Sequence, residues 1–196
     1  MLCAARALAI VLLLAPCLGA ARASVLPPEA SEMESYVTGF VSPALWPPKA
    51  ARGYSRRLRL IIMPTLHHER VAIRIDTFAS GRTVGYVSEL LPDNEGLGGP
   101  TSRTVRFAIS KADLEELDRL VADSGLWTVY PEQWVFKDEN EICLDGVELL
   151  LERTTPQGYG ISGANAQCTA PPGMLRLAEH MVRVAGLGKT PVSGWL

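Results

Sequence analysis

The chain has 196 residues, of which 47% are hydrophobic and 20% charged, and its formal net charge is −2 at pH 7. This length is sufficient for one domain with a sizeable core. The weakly acidic balance argues against nucleic acid and against an anionic membrane surface as partners.

The first residues predict a targeting segment and not a part of the fold. Arg6 supplies a short positive region, residues 7–15 are apolar, and Ala21-Arg22-Ala23 is a small-x-small cleavage site. The apolar run is shorter than the roughly 20 residues of a transmembrane helix. We predict a signal peptide over residues 1–23 and a periplasmic or secreted mature protein that begins at Ser24 and has no transmembrane segment.

The cysteines depend on this cleavage. Removal of the signal peptide eliminates Cys3 and Cys17 and leaves Cys143 and Cys168. Two cysteines in an exported protein are more often bonded than free, so a disulfide between Cys143 and Cys168 is predicted. Residues 14–17 also resemble a lipoprotein cleavage box, which leaves a lipid anchor on Cys17 as an alternative to simple cleavage.

The mature chain begins with a proline-rich stretch. Residues 24–53 show no sustained periodicity, so we interpret them as an extended N-terminal arm. Regular patterns predict a single domain over residues 54–187. Residues 188–196 are expected to form a loose C-terminal tail from which Trp195 can dock.

Four segments before residue 110 show the alternation of β-strands with one apolar face. Their apolar positions are Leu58, Leu60 and Ile62, then Val71, Ile73 and Ile75, then Val84 and Tyr86, then Val105, Phe107 and Ile109. Such strands are typical of an antiparallel sheet covered on one side. A two-residue turn at Ser80-Gly81 is expected to pair Ile75 with Tyr86 and to put both on the apolar face.

Two helices are predicted. Ser110 is the expected N-cap of the first, Asp113 its capping-box partner and Gly125 its C-terminal glycine; the apolar stripe is Leu114, Leu117, Leu120 and Val121. The second begins near Pro171-Pro172 and ends at Gly186, where Leu187 folds back onto Val182. Its apolar face is Met174, Leu177, Ala178, Met181 and Ala185.

A hairpin is predicted between the helices. Val147, Leu149 and Leu151 alternate with glutamates, Pro156-Gln157-Gly158 is expected to be a three-residue loop, and Tyr159 begins the return strand. Together these elements predict an α+β fold, in which an antiparallel sheet of five or six strands has two helices packed on one face.

The residue types expected of a catalytic centre, a cofactor site or a metal site do not occur in suitable patterns, and we predict none of these. His67 and His68 are adjacent on extended chain and point to opposite faces, which does not suit one metal ion. His180 is expected on the solvated face of the last helix. Glu148 and Glu152 share the outer face of a strand, with a catalytic acid–base pair as the alternative interpretation.

Four arginines alternate with the apolar positions and are predicted to project from the uncovered sheet face: Arg57, Arg59, Arg74 and Arg106. One interpretation is a solvated face, neutralised through cross-strand pairs by Asp76, Glu89, Glu148 and Glu152. The other is a binding face for an anionic ligand, such as a carboxylate or phosphate, or for an acidic envelope protein, because guanidinium geometry matches these anions.

Short motifs in the second half are Trp127 after a helix, then Asp145-Gly146, Glu152, Tyr159, Cys168 and the helix end Ala185-Gly186-Leu187. In these the chain resembles a loose family of small exported proteins of Gram-negative bacteria, many of them lipoproteins, that have no assigned activity. Members often carry an aromatic residue where this chain has Leu149 or Leu150. The resemblance implies an envelope location and a shared fold, and it transfers no catalytic residue.

The function expected from these observations is that of an exported, non-catalytic module that binds a ligand or partner. A cell-envelope hydrolase that works near Trp134 is the alternative. The aromatic stretch around Trp134, which includes Tyr130 and Phe136, can form one wall of a pocket or cap the edge of a core.

Overall fold

A computed structural model describes residues 45, 48–65, 70–91, 101–124, 126 and 146–196. The predicted signal peptide, most of the N-terminal arm, His67, His68, Gly125, the Trp134 region and Cys143 lie outside these described residues.

The described residues form a six-stranded antiparallel sheet and two α-helices. The strands are β1 (Tyr54–Pro64), β2 (Arg70–Phe78), β3 (Thr83–Leu91), β4 (Thr101–Phe107), β5 (Val147–Thr155) and β6 (Gly158–Asn165). Helix α1 (Lys111–Asp123) follows β4, and helix α2 (Pro172–Val184) follows β6. The strand order is β4-β3-β2-β1-β5-β6. The predicted α+β class and the predicted sheet are thereby confirmed.

One sheet face and both helices contribute to a common hydrophobic cluster. Its sheet members alternate along β1, β2 and β5, and Leu60 of β1 lies between Ile73 of β2 and Leu151 of β5. Its helical members are Leu117, Leu120 and Val121 in α1 and Met174, Leu177, Ala178, Met181 and Val182 in α2. The sheet face that contributes to this cluster is called the helix-side face below. The opposite face is called the arginine-side face.

Helix α1 begins where the sequence predicts. The backbone N–H of Asp113 donates to Oγ of Ser110 at 3.1 Å, and the Ser110 hydroxyl donates to Oδ2 of Asp113 at 2.6 Å. Ser110 therefore satisfies one of the N–H groups that have no partner within the helix, as an N-cap does.

Helix α2 ends in the predicted Schellman motif. Gly186 has a φ of +76°, its N–H donates to the carbonyl of Arg183 at 3.0 Å, and the N–H of Leu187 donates to the carbonyl of Val182 at 3.0 Å. A residue without Cβ adopts this left-handed conformation at little cost, which explains why the helix ends at a glycine.

His180 is buried where α2 meets α1, so its predicted solvated position was wrong. Its Nε2 lies 2.9 Å from the carbonyl oxygen of Asp113, and its Nδ1 lies 3.0 Å from Nη2 of Arg183. These partners fit a neutral ring in which Nε2–H donates and Nδ1 accepts. The helical pattern of α2 puts His180 beside polar residues, and only the packing of α1 reveals its burial.

The loop of the β2–β3 hairpin has three residues, Ala79-Ser80-Gly81, and not the two that we predicted. Phe78 N–H donates to the carbonyl of Arg82 at 2.8 Å, and Gly81 N–H donates back to the carbonyl of Phe78 at 2.9 Å. Gly81 has a φ of +85°, the left-handed conformation that typically closes a three-residue hairpin.

The longer loop shifts the register of β3 by one residue from the predicted one. Ile75 lies opposite Gly85, and Ile73 lies opposite Val87. A shift of one residue turns every side chain of a strand to the other face. Tyr86 therefore lies on the arginine-side face, and its predicted position in the core was wrong.

The β5–β6 hairpin is confirmed, but its loop was also predicted wrongly. Thr155 pairs with Gly158, so the loop consists of Pro156 and Gln157, and Gly158 is the first residue of β6.

The C-terminal residues 188–196, predicted as a loose tail, include a short 3-10 helix, Pro191–Gly194. Val192 is part of the hydrophobic cluster, and Trp195 packs against it. The Nε2 of Gln167 also donates to the carbonyl of Trp195 at 2.7 Å. The expected docking of Trp195 is therefore confirmed.

Candidate anion-binding site

The strand register aligns three predicted arginines in one row across the arginine-side face. Arg59 of β1 lies opposite Arg74 of β2 on one side and opposite Glu152 of β5 on the other. Arg74 lies opposite Tyr86 of β3, which in turn lies opposite Arg106 of β4. These five residues are called the arginine row below.

The fourth arginine lies in the next row of the same face, which contains Thr154, Arg57 and Asp76. Arg57 Nε donates to Oδ1 of Asp76 at 3.0 Å, and its Nη1 donates to the carbonyl of Ala50 at 3.2 Å. Its guanidinium carbon also lies 4.5 Å from the centre of the Tyr54 ring. The prediction that all four arginines share one face is confirmed.

Asp76 and Tyr86 connect the arginines to one another. Oδ2 of Asp76 lies 3.1 Å from Nε of Arg74, while its Oδ1 accepts from Arg57. The guanidinium carbons of Arg74 and Arg106 lie 4.5 Å and 5.6 Å from the centre of the Tyr86 ring. Both distances are within the range of a cation–π interaction. Arg106 is exposed, so the row extends from a buried centre to the surface.

The centre of this face is buried, so the predicted exposure was wrong. Arg59 is 0% exposed and Arg57 4%, and their partners Glu152 and Asp76 are each 1% exposed. Leu45, which precedes β1, lies over this region, and its carbonyl accepts from Oγ1 of Thr154 at 2.6 Å. Alternation along a strand separates the two faces but does not show which of them is covered, so the sequence did not reveal this burial.

Arg59 has fewer partners than its burial requires. Its Nε donates to Oε2 of Glu152, and the Tyr159 hydroxyl donates to Oε1 of the same carboxylate at 2.8 Å. Neither Nη1 nor Nη2 of Arg59 has a hydrogen-bond partner among the residues that the structure describes. Buried guanidinium N–H groups are costly to leave unpaired. This end of the Arg59 side chain is therefore a candidate contact for an anion.

Several charged groups lie beside Arg59. Among the described residues, the guanidinium groups of Arg57 and Arg74 pair with Asp76, and that of Arg59 pairs with Glu152. Burial lowers the pKa of Arg74, and the charges of Arg57 and Arg59 lower it further, whereas Asp76 raises it. Like charges directly opposite on neighbouring strands are unfavourable, and a bound anion would relieve the repulsion between Arg59 and Arg74.

One of the four acids that were predicted to neutralise this face lies on the opposite face, and another lies at a distance from Arg59. Glu89 lies opposite Arg103 of β4 on the helix-side face, so its predicted position was wrong, for the same reason as that of Tyr86. Glu148 lies on the arginine-side face opposite Met63, two rows from Arg59. It is half-buried, and this burial raises its pKa.

Sequence analysis missed the two tyrosines of the site. The correct loop length between β2 and β3 would have placed Tyr86 on this face. Tyr159 lies opposite Thr154 in the second row, and its hydroxyl reaches across to Glu152. The alternation along β6 could have placed Tyr159 on this face, but the partner of its hydroxyl depends on the register between β5 and β6.

The remaining site predictions concern metal binding and the disulfide. Within the described ranges no group of three histidine, cysteine or acidic residues is arranged to hold a metal ion. Cys168 lies in the turn after β6, and its backbone N–H donates to the carbonyl of Asn165 at 3.3 Å. Cys143 lies outside the described residues, so the Cys143–Cys168 disulfide stays a prediction.

Comparisons with known proteins do not assign a function. No protein-family model matches the chain, and a search of curated proteins finds no significant match. The resemblance to small exported envelope proteins therefore stays an expectation. Of the helices that the structure describes, none is both long and apolar enough to cross a membrane.

Proposed function

We propose that this protein is an exported, non-catalytic binding module that takes an anionic ligand on the arginine-side face. The observation that carries the proposal is Arg59, which is fully buried and whose Nη1 and Nη2 have no partner in the described part of the chain. The neighbouring Arg57 and Arg74 add positive charge, and the exposed Arg106 extends the row to the surface.

A purely structural role explains this arrangement less well. A buried ion pair is often no more stabilising than apolar residues of the same size, because both charges lose their hydration. Here the fully buried Arg59 has no acceptor for Nη1 and Nη2 among the described residues, so its pairing is incomplete as well as costly. An anion at Arg59 would supply the missing acceptor.

Binding also suits this face better than acid–base catalysis. Both central carboxylates are already acceptors, Glu152 for Arg59 and Tyr159, and Asp76 for Arg57. A general base needs an acceptor position that is open to substrate. The alternative of a hydrolase near Trp134 concerns residues outside the described chain.

The export of the protein belongs to the same proposal. Its support is the sequence of residues 1–23, with a positive start, an apolar run and a small-x-small cleavage site. A periplasmic or secreted location would allow the ligand to be a small environmental anion or an acidic group of an envelope protein.

The test compares Arg59→Lys with Arg119→Lys by isothermal titration with acetate, phosphate and sulfate. Lysine keeps the positive charge at residue 59 but loses the planar fork of donors, so we expect anion affinity to fall by about tenfold or more. Arg119 is exposed on α1 and pairs with Glu116 and Asp123, so its replacement should leave affinity unchanged. Absence of anion binding by the wild-type protein, or equal affinity in both variants, would refute the proposal.

A further inference from the structure

We infer that the part of the N-terminal arm that precedes Leu45, residues 24–44, packs on the arginine-side face and covers its centre. The inference goes beyond the proposed function, because it concerns a contact within the chain and holds whether or not an anion binds. It depends on three observations: the apolar centre of this face, the position of Leu45, and the length and composition of the segment before Leu45.

The first observation is a row of buried side chains next to the arginine row. Across β5, β1, β2 and β3 it consists of Leu150, Ile61, Ala72 and Ser88, which are between 0% and 4% exposed. The polar member is satisfied within the sheet, since its hydroxyl lies 3.0 Å from that of Thr104. These side chains lie on the face opposite the hydrophobic cluster, and none of them belongs to it. A sheet face is buried only when another layer packs on it, so this face has a cover of its own.

The second observation is Leu45, which shows where this cover begins. Its carbonyl accepts from Thr154, and the carbonyl of Ala50 accepts from Arg57, so the chain before β1 lies on the arginine-side face. Leu45 is itself 0% exposed although it lies on the outer side of the sheet. The sheet buries only one side of such a residue, so its full burial requires further chain around it. Residues 24–44 are joined directly to Leu45 and are therefore the nearest chain to supply that cover.

The third observation is that this segment has the required length. The row of Ile61 lies two rows from that of Thr154, which is about 13 Å along the strands. The nine residues 36–44 span about 30 Å when extended, so they reach this row from Leu45.

The composition of the segment also suits this face. Apolar side chains that match the apolar row occur shortly before Leu45, namely Tyr36, Val37, Phe40 and Val41. Residues 24–44 also contain three glutamates and no basic residue. An acidic segment is complementary in charge to a face that carries several arginines.

Two other segments outside the described residues are less suitable. Residues 92–100 join β3 to β4 and contain a single large apolar residue, Leu97. Residues 127–145 include several aromatic residues, but they follow Leu126, which belongs to the hydrophobic cluster and whose carbonyl accepts from Ser162 of the helix-side face. That segment therefore starts from the opposite face, whereas the arm already lies on the arginine-side face at Leu45.

Photocrosslinking of the full chain tests the inference. Phe40 is replaced by the photoreactive analogue p-benzoylphenylalanine, and the crosslinked peptides of the monomer are identified by mass spectrometry. We expect crosslinks to β1, β2 or β5 at side chains of the arginine-side face. The matched control is the same replacement at Phe107, which lies opposite Gly85 and packs against the hydrophobic cluster, so its crosslinks should not include residues 24–44.

The inference is overturned if the probe at residue 40 forms no crosslink within the chain while the control does, or reaches only the helices. A third probe at Trp134 identifies the competing segment: crosslinks from it to the arginine-side face, with none from residue 40, would assign the cover to residues 127–145. Leu45→Asp removes the apolar anchor and should abolish the crosslinks from residue 40, and their persistence would also contradict the inference. Should that variant unfold, the crosslinks of the chain with Leu45 intact decide alone.

These measurements are made without any added anion, so they are independent of the proposed function. Failure of the probe at residue 40 leaves an Arg59-dependent affinity for anions unaffected. Conversely, a chain that binds no anion can still show the crosslinks.

Discussion

Arg59 and Glu152 are separated by 93 positions in the chain, yet they lie directly opposite each other on β1 and β5 and form an ion pair with almost no exposure to solvent. This pair links the first strand of the sheet to the C-terminal hairpin on the face away from the hydrophobic cluster. It is the structural centre of the candidate site.

Breaking this pair should be strongly destabilising. Arg59→Met or Glu152→Met leaves one buried charge without its partner, and we expect a loss of about 3–5 kcal/mol for each single variant. The double variant should lose much less than the sum, because no unpaired charge then remains. Urea unfolding of the four proteins gives these values. The exposed pair Lys111–Glu115, worth about 0–1 kcal/mol, is the control. Additive losses would show that the two side chains are not coupled.

The capping residue Asp113 should make stability depend on pH in the acid range. Its hydrogen bond with Ser110, followed by that with Arg183, lowers its pKa below the ordinary 3.8. The ionised form is thus favoured in the folded state, so its contribution is complete above pH 3.8 and is lost as the pH falls through the lower folded-state pKa. The stability difference between the wild type and Asp113→Asn should therefore shrink below pH 3.8.

Urea midpoints measured through this pH range test that expectation, with Glu179→Gln on the exposed surface of α2 as a comparison. A difference that stays constant as the pH falls would contradict the role assigned to the Asp113 carboxylate.

The end of α2 should be sensitive to a single added methyl group. Gly186→Ala meets no atom within 4 Å but must hold a φ of +76°, so we expect a loss of about 1 kcal/mol from backbone strain alone. Gly194→Ala also enters open space, without that φ, and should be close to neutral. Thermal unfolding of the two variants measures the difference, and equal stabilities would exclude the strain argument.

We expect the chain to be exported and processed so that Ser24 is its first residue. Intact mass spectrometry of protein recovered from the periplasm or medium checks this, and a diacylated Cys17 would instead indicate a lipoprotein. The same spectrum tests the predicted Cys143–Cys168 bond, which lowers the mass by two hydrogens relative to the reduced chain. Two cysteines that react with a thiol reagent before reduction would contradict the bond.

The sequence was sufficient to predict most of the fold because its signals are local. The N-cap at Ser110, the helix end at Gly186 and the alternation around Leu60 each depend on a few neighbouring residues. The register of β3 was wrong because two-residue and three-residue loops both suit Ser80-Gly81, and one residue decides the face of Tyr86.

The site was predicted only in part. Alternation placed Arg57, Arg59, Arg74 and Arg106 on one face, and the structure confirms that face. Burial of Arg59, the pairing with Glu152 and the contact with Tyr159 depend on β5 and β6, which are distant in sequence, and on what covers the sheet. Periodicity within one strand carries no information on either.

The position of β1 in the sheet has a consequence for the order of folding. Strands β1 to β4 pair each with the next along the chain, but the second neighbour of β1 is β5, which begins at Val147. Contacts between residues so far apart in sequence form slowly, because a long loop must close first. During synthesis one edge of β1 thus stays open until the C-terminal hairpin emerges, and chains truncated before that hairpin should expose this edge and be prone to aggregation.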